Sequence, residues 1–247
     1  MLTLNHISKS FHGKKALDGV TVDFPPGQIV GLFGENGAGK TTLMKCILGF
    51  LPHKGAVTLD GEPISRKNIA RLSFATSEHS FFPALTPDAH RDFYDAHFES
   101  FNHKRYNGLM EFFELPSNKM LRSFSTGQKN QFEVIMAMSQ GASYILMDEP
   151  FSGNDLFNRE DFYKVLLGIL EPRETVILST HLIEEVAQFI SRAVLIRKGV
   201  IVGDVDTLAL EEETNLVDYV KQTYHYQADR VSRALELLGG GEEGMEP

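Results

Sequence analysis

Residues 29 to 50 read "IVGLFGENGAGKTTLMKCILGF": a continuously apolar run, a glycine-rich turn and a helix-forming stretch in direct succession. Within it Gly34, Gly39, Lys40 and Thr41 fit the spacing G-x-x-x-x-G-K-[ST], in the strand–loop–helix context this motif requires. No other stretch restricts the fold as much. Gly34, Glu35, Asn36 and Gly37 form the turn, Ala38 and Gly39 lead into the helix, and Lys40, Thr41 and Thr42 open it. Backbone N–H groups of such a turn and helix start converge on anionic oxygens, Lys40 adds a mobile positive charge, and the Thr41 hydroxyl can ligate Mg²⁺. The expectation is a nucleoside triphosphate site.

The rest of the chain supplies strands to put around it. "VTVDF" at 20–24, "AVTLD" at 56–60, "YILMD" at 144–148, "TVILS" at 175–179 and "AVLI" at 193–196 are short β-branched or aliphatic runs. Several are continuously apolar, as strands covered on both faces are, and helix-like segments separate the later ones. This pattern predicts an α/β layered fold with a largely parallel central sheet. From Thr86 to Arg122 strand signals vanish, while Phe93, Tyr94, His97, Phe98 and Phe101 recur at helical spacing, which predicts a small inserted helical lobe. "RKGVIVGD" at 197–204 reads as a hairpin around Lys198 and Gly199, Leu216 to Leu238 as a helix, and "GGGEEGMEP" at 239–247 as a disordered tail with nothing to bury.

Composition narrows the partners. With 247 residues, 42% of them hydrophobic, the chain can bury a sizeable core. Its 33 acidic residues against 24 basic give a formal charge of −9, which repels a polyphosphate backbone in the absence of a basic cluster, so nucleic acid is not expected as a partner. Cys46 is the only cysteine; no internal disulfide is possible, and its place on the helix after the phosphate loop predicts a buried, inert thiol in a reducing compartment. No run approaches the roughly 18 apolar residues of a membrane helix, so work at a membrane would need another protein to span it.

Three further stretches carry chemistry. "YILMDEP" ends a strand in Asp148 and Glu149. A solvated turn is an equally common use of such a pair, but beside a phosphate loop Asp148 suits a Mg²⁺ shell and Glu149 suits polarising an attacking water. His181 in "TVILSTHLIEEV" lies just beyond another strand, where a lone histidine is ordinarily structural or solvated. "FSTGQKNQ" at 124–131 reads locally as a serine cap opening a helix.

Taken in order, these motifs resemble an ATP-binding subunit of an ATP-binding cassette (ABC) transporter, from about residue 2 to 205. Gly34 to Thr42 match the Walker A loop, Phe124 to Gln128 the signature LSGGQ, Tyr144 to Asp148 Walker B, Ser152 to Asp155 the D-loop and His181 the switch histidine. The resemblance implies a P-loop NTPase: a RecA-like α/β core with a mainly parallel sheet, an antiparallel β subdomain and a helical subdomain inserted at about 86–140. Residues 1–205 would form the ATP-binding domain and 206–247 a helical extension with an acidic tail. Implied cofactors are ATP and Mg²⁺, with Thr41, Asp148 and Ser77 at the metal and Glu149, His181 and Lys40 in catalysis. Implied partners are a second ATP-binding subunit and an integral membrane permease, at the cytoplasmic face of a bacterial membrane, in a system of exporter type.

In this family Ser125, Gly127 and Gln128 would cap the γ-phosphate of ATP held by the opposing subunit, and Phe11 would stack on adenine; Phe11 reads equally as a core residue beside the first strand. Phe81, Phe82 and Leu85 would line the cleft for the permease, although the aromatic stretch from His79 to Phe101 reads otherwise as core of the lobe. Three positions depart from the family pattern: Ser77 stands where a longer glutamine or glutamate is usual, with Glu78 next to it as a substitute; Thr126 replaces a signature glycine; Asn154 occupies an apolar D-loop position. The competing reading is a non-transport or regulatory cassette with weak hydrolysis.

Overall fold

In the computed structural model, which describes residues 1–150, 156–210 and 215–224, two sheets and two groups of helices share the chain. An antiparallel sheet of order β2-β1-β4-β5 is made from β1 (Leu2–Phe11), β2 (Lys14–Phe24), β4 (Lys54–Leu59) and the short β5 (Glu62–Pro63). The larger sheet, of order β10-β9-β3-β8-β7-β6, contains β3 (Ile29–Phe33), β6 (Leu72–Thr76), β7 (Tyr144–Asp148), β8 (Thr175–Thr180), β9 (Arg192–Arg197) and β10 (Val200–Asp206). All its neighbours are parallel except β10 against β9.

The burial of each strand follows its pattern. Every residue of β3, β7 and β8 is buried, as two-sided cover demands of an uninterrupted apolar run. In β2 the buried positions include Leu17, Val20, Val22 and Phe24, with exposed residues between the last three, so one face is wet. "VTVDF" and "AVTLD" accordingly belong to the antiparallel sheet, the expected antiparallel β subdomain, as their alternation explains.

Helices α1 (Lys40–Ile47), α2 (Pro87–His97), α3 (His103–Phe112), α4 (Thr126–Ser139), α5 (Leu156–Ile169), α6 (Ile183–Val186) and α7 (Leu216–Thr223) complete the fold. Of these, α2, α3 and α4 form the expected lobe. Thr86 caps α2 by accepting from the N–H of Ala89, with Pro87 in the first turn; Asn102 caps α3 by accepting from Arg105. The aromatic periodicity overshoots: α2 stops at His97, so Phe98 and Phe101 lie beyond it, Phe101 buried in the link to α3. Buried Arg105 fastens the lobe to the core, donating to both carboxylate oxygens of Glu174 at 2.7 and 2.9 Å and to the carbonyls of Met138 and Ile169.

One hydrophobic core lies between the larger sheet and the lobe, with Phe132, Ile135, Met147 and Phe162 at zero exposure; a second joins the two sheets through α1 and includes Leu43, Met44 and Cys46. Cys46 is buried and free, as expected. The hairpin turn falls on Lys198 and Gly199, both at positive φ. Helix α7 begins where its pattern does; the continuation to Leu238, the tail and the D-loop with Asn154 lie outside the described residues. Among the described residues no helix is long and apolar enough to cross a membrane.

Candidate nucleotide-binding site

Strand β3 delivers the chain to Gly34, where a side chain is impossible: a Cβ would sit 2.5 Å from the carbonyl oxygen of Ile196. Gly39 closes the loop at φ +115°, with Ala16 O 2.8 Å from where its Cβ would be. Helix α1 starts at Lys40 without any side-chain cap, so its first N–H groups remain for a ligand. Glu35 to Thr42 surround a recess of about 180 Å³ that Ala16 and Glu149 also line. The Lys40 side chain is only 6% exposed and its ammonium donates to Gly34 O at 2.7 Å.

Strands β7 and β8 bring the acidic residues to the same place. Asp148 is buried at the end of β7, opposite Ser179 on β8, whose hydroxyl donates to Asp148 Oδ1 at 2.5 Å. Glu149 follows at φ +47°, an uncommon conformation for a non-glycine residue and one that costs free energy. Its N–H donates to both the carbonyl and the hydroxyl oxygen of Ser179. So held, the Glu149 carboxylate lies 3.7 Å from the Lys40 ammonium and 3.1 Å from Nδ1 of exposed His181. Lys40 and Glu149, far apart in sequence, therefore line one recess, and His181 joins them through its contact with Glu149.

The remaining expected residues divide. Phe11 is 42% exposed, which removes the core reading and leaves a ring face available; the Lys9 ammonium is 5.0 Å from its centroid. It pairs with Lys14 across the hairpin, two residues before Ala16 in the recess wall. Ser77 is exposed and does not line the recess, and Glu78 is engaged by Lys45, which donates to both its oxygens at 2.7 Å. Ser125, Gly127 and Gln128 also lie outside the recess lining. They open α4 as a capping box: the Gln128 N–H donates to Ser125 Oγ and the Ser125 N–H to Gln128 Oε1. The serine hydroxyl proton is left to donate elsewhere.

Near the expected permease cleft, Phe82 and Leu85 are exposed, whereas Phe81 is half-buried against Phe132 and His90. Buried His90 accepts from the Phe82 N–H on Nε2, so its Nδ1 carries the proton donated to Thr86 O; burial lowers its pKa. Beneath this segment lies Glu133, 3% exposed, accepting from the N–H and hydroxyl of Ser80. Neither Ser179 nor Glu133 was anticipated. A serine inside an apolar strand has no local signature, but the glutamate in "QFEVIMAM" is a visible break in an apolar helix.

Residues 17–152 match the family model described as ABC transporter. The chain belongs to the ABC transporter family. The protein is accordingly an ATP-binding ATPase of the cassette type. Among its relatives, the ABC transporter ATP-binding protein YhaQ of Bacillus subtilis (strain 168) is 29% identical over 208 residues, covering 81% of this chain and 69% of that protein. The SkfA peptide export ATP-binding protein SkfE of the same organism is 27% identical over 220 residues, covering 86% and 92%. In fold, the cassette resembles a dimeric ATP-binding cassette in a post-hydrolysis state bound to ADP and Pi, with a TM-score of 0.73, 20% identity and coverage of 83% of this chain and 98% of the other.

Proposed function

We propose that this ABC ATPase works as one of a pair of cassettes beneath a separate membrane permease, at the cytoplasmic face of a bacterial membrane, and that the system exports its cargo. The observation that carries this reading is the division of the site. The phosphate loop and Glu149 line one recess, and His181 bonds Glu149, while the capped start of α4, with Ser125 exposed, is not part of that lining and has no bond to it among the described residues. A second copy or close relative would bring its own Ser125, Gly127 and Gln128 to the γ-phosphate, where helix-start N–H groups favour the anion. The peptide-export assignment in the name of SkfE favours the outward direction, and exposed Phe82 and Leu85 offer the permease an apolar face.

At the recess each side chain has a task. Lys40 neutralises phosphate charge; Glu149 orients and deprotonates the attacking water; His181, bonded to Glu149, holds that carboxylate in line and meets the γ-phosphate; Phe11 stacks on the base. The Thr41 hydroxyl and the Asp148 carboxylate are hard oxygen donors that would hold Mg²⁺. When bound, Mg²⁺ supplies charge neutralisation at the phosphates. Ser77 is short and outside the recess lining, so it would act there only through water.

Glu149→Gln provides the test. Phosphate release should fall about 10²- to 10⁴-fold, the usual worth of a general base, while nucleotide binding persists. Saturated with ATP and Mg²⁺, this variant should run at twice the monomer mass in light scattering. A variant with near-normal turnover would remove Glu149 from the role.

A further inference from the structure

Helix α7 lies outside the segment matched to the family model, yet Tyr224, which caps its C-terminus, reaches the base of the phosphate loop. Asn215 caps the helix, Leu216 and Val220 are buried beneath it, and the Tyr224 side chain turns inward. The Tyr224 hydroxyl lies 3.1 Å from the carbonyl oxygen of Phe33 and 3.2 Å from that of Ile196, sharing its one proton between them. Burial pushes the phenol pKa up to about 12, so that proton is retained at any working pH.

Both acceptors sit at the base of the loop. Phe33 is the final residue of β3, and Ile196 belongs to β9, its parallel neighbour. Gly34, the next residue after Phe33, packs against the same Ile196 carbonyl and accepts the Lys40 ammonium on its own. One peptide unit thus separates the tyrosine's acceptor from the lysine's. The turn after β9 grips the other side: the Gly199 N–H donates to Ala38 O at 2.9 Å, and Arg197 Nη1 donates to Tyr224 O at 3.3 Å.

We infer that Tyr224 is a positioning residue for ATP binding, its hydroxyl fixing the base of the phosphate loop and thereby the affinity of the site for nucleotide. The inference rests on reading Gly34 to Thr42 as the ATP site. The Tyr224 hydroxyl bonds only the carbonyls of Phe33 and Ile196, and Glu149 and His181 follow the ends of β7 and β8. Loss of the hydroxyl therefore weakens binding of substrate and transition state alike and leaves the chemical step intact.

The experiment compares Tyr224→Phe with Val220→Ala in the full chain, by steady-state phosphate release and by titration with a fluorescent ATP analogue. Tyr224→Phe should raise KM and the analogue's Kd about 2- to 10-fold, the worth of one such hydrogen bond, with kcat changed less than about twofold. Val220→Ala loosens the helix but keeps the hydroxyl; it should lower the melting temperature and leave KM in place. An unchanged KM in Tyr224→Phe, or an equal rise in Val220→Ala, overturns the inference. Lys40→Ala separates the two layers: if it binds the analogue normally, the site reading fails and takes the inference with it; if it loses binding while Tyr224→Phe does not, only the inference fails.

Discussion

Glu149 and Glu133 show how one residue type takes opposite roles from its surroundings. Glu149, at positive φ between the Lys40 ammonium and His181, has cationic or proton-bearing neighbours and an open recess before it. Glu133 lies inside α4 among apolar side chains, and burial pushes its pKa up to about 7 against the pull of hydrogen bonds from Ser80 and from the Phe81 backbone. Tyr94 faces it from α2, its own pKa pushed up to about 12 by burial and by that carboxylate. A carboxyl whose folded pKa exceeds the unfolded value contributes most below the unfolded pKa, near pH 4.5, and that contribution is lost as pH rises through about 7. Glu133→Gln stays neutral and can still accept from Ser80. Relative to wild type it should gain on the order of 1–3 kcal/mol between pH 5 and pH 8, seen as a difference in denaturation midpoint that widens with pH. A gap constant across that range would mean the carboxylate is not held against its ionisation.

At the scale of elements, the lobe is joined to the sheet by a buried ion pair as well as by packing. Glu174→Ala would leave the Arg105 guanidinium buried without its bidentate partner, and should cost about 3–5 kcal/mol in urea unfolding; a loss below about 1 kcal/mol would show that packing alone secures the lobe. Which elements were legible in the sequence follows from burial. Strands β3, β7 and β8 are covered on both faces and read as apolar runs, and the phosphate loop reads through because its groups are contiguous. Strand β1 was hidden by irregular register between Leu4 and Ser10 and by His6 at positive φ, which break its alternation. Strand β6 is short, carries Ser73 and Thr76, and lies at the sheet's edge. The links that complete the site, from Ser179 to Asp148 and from Tyr224 to Phe33, join a side chain to a partner distant in sequence, and no local pattern encodes them.

For the whole molecule, the two clusters of candidate site residues are each well formed but do not share a recess lining, the arrangement that the proposed pairing of cassettes would complete. The Lys40 side feeds on rigid strands; the Ser125 side rides on the lobe, where the Arg105 clamp and the Glu133 contact tie it to the sheet and to the segment bearing Phe82. Mixing two inactive variants tests the pairing most directly. Lys40→Ala disables one chain's phosphate loop, and Ser125→Arg disables the other chain's α4 start, so a mixed pair retains one site with both halves intact. Phosphate release should be negligible for either variant alone and reappear when the two are combined. A mixture as inactive as its parents, with Ser125→Arg still binding ATP, would contradict a site shared between two chains.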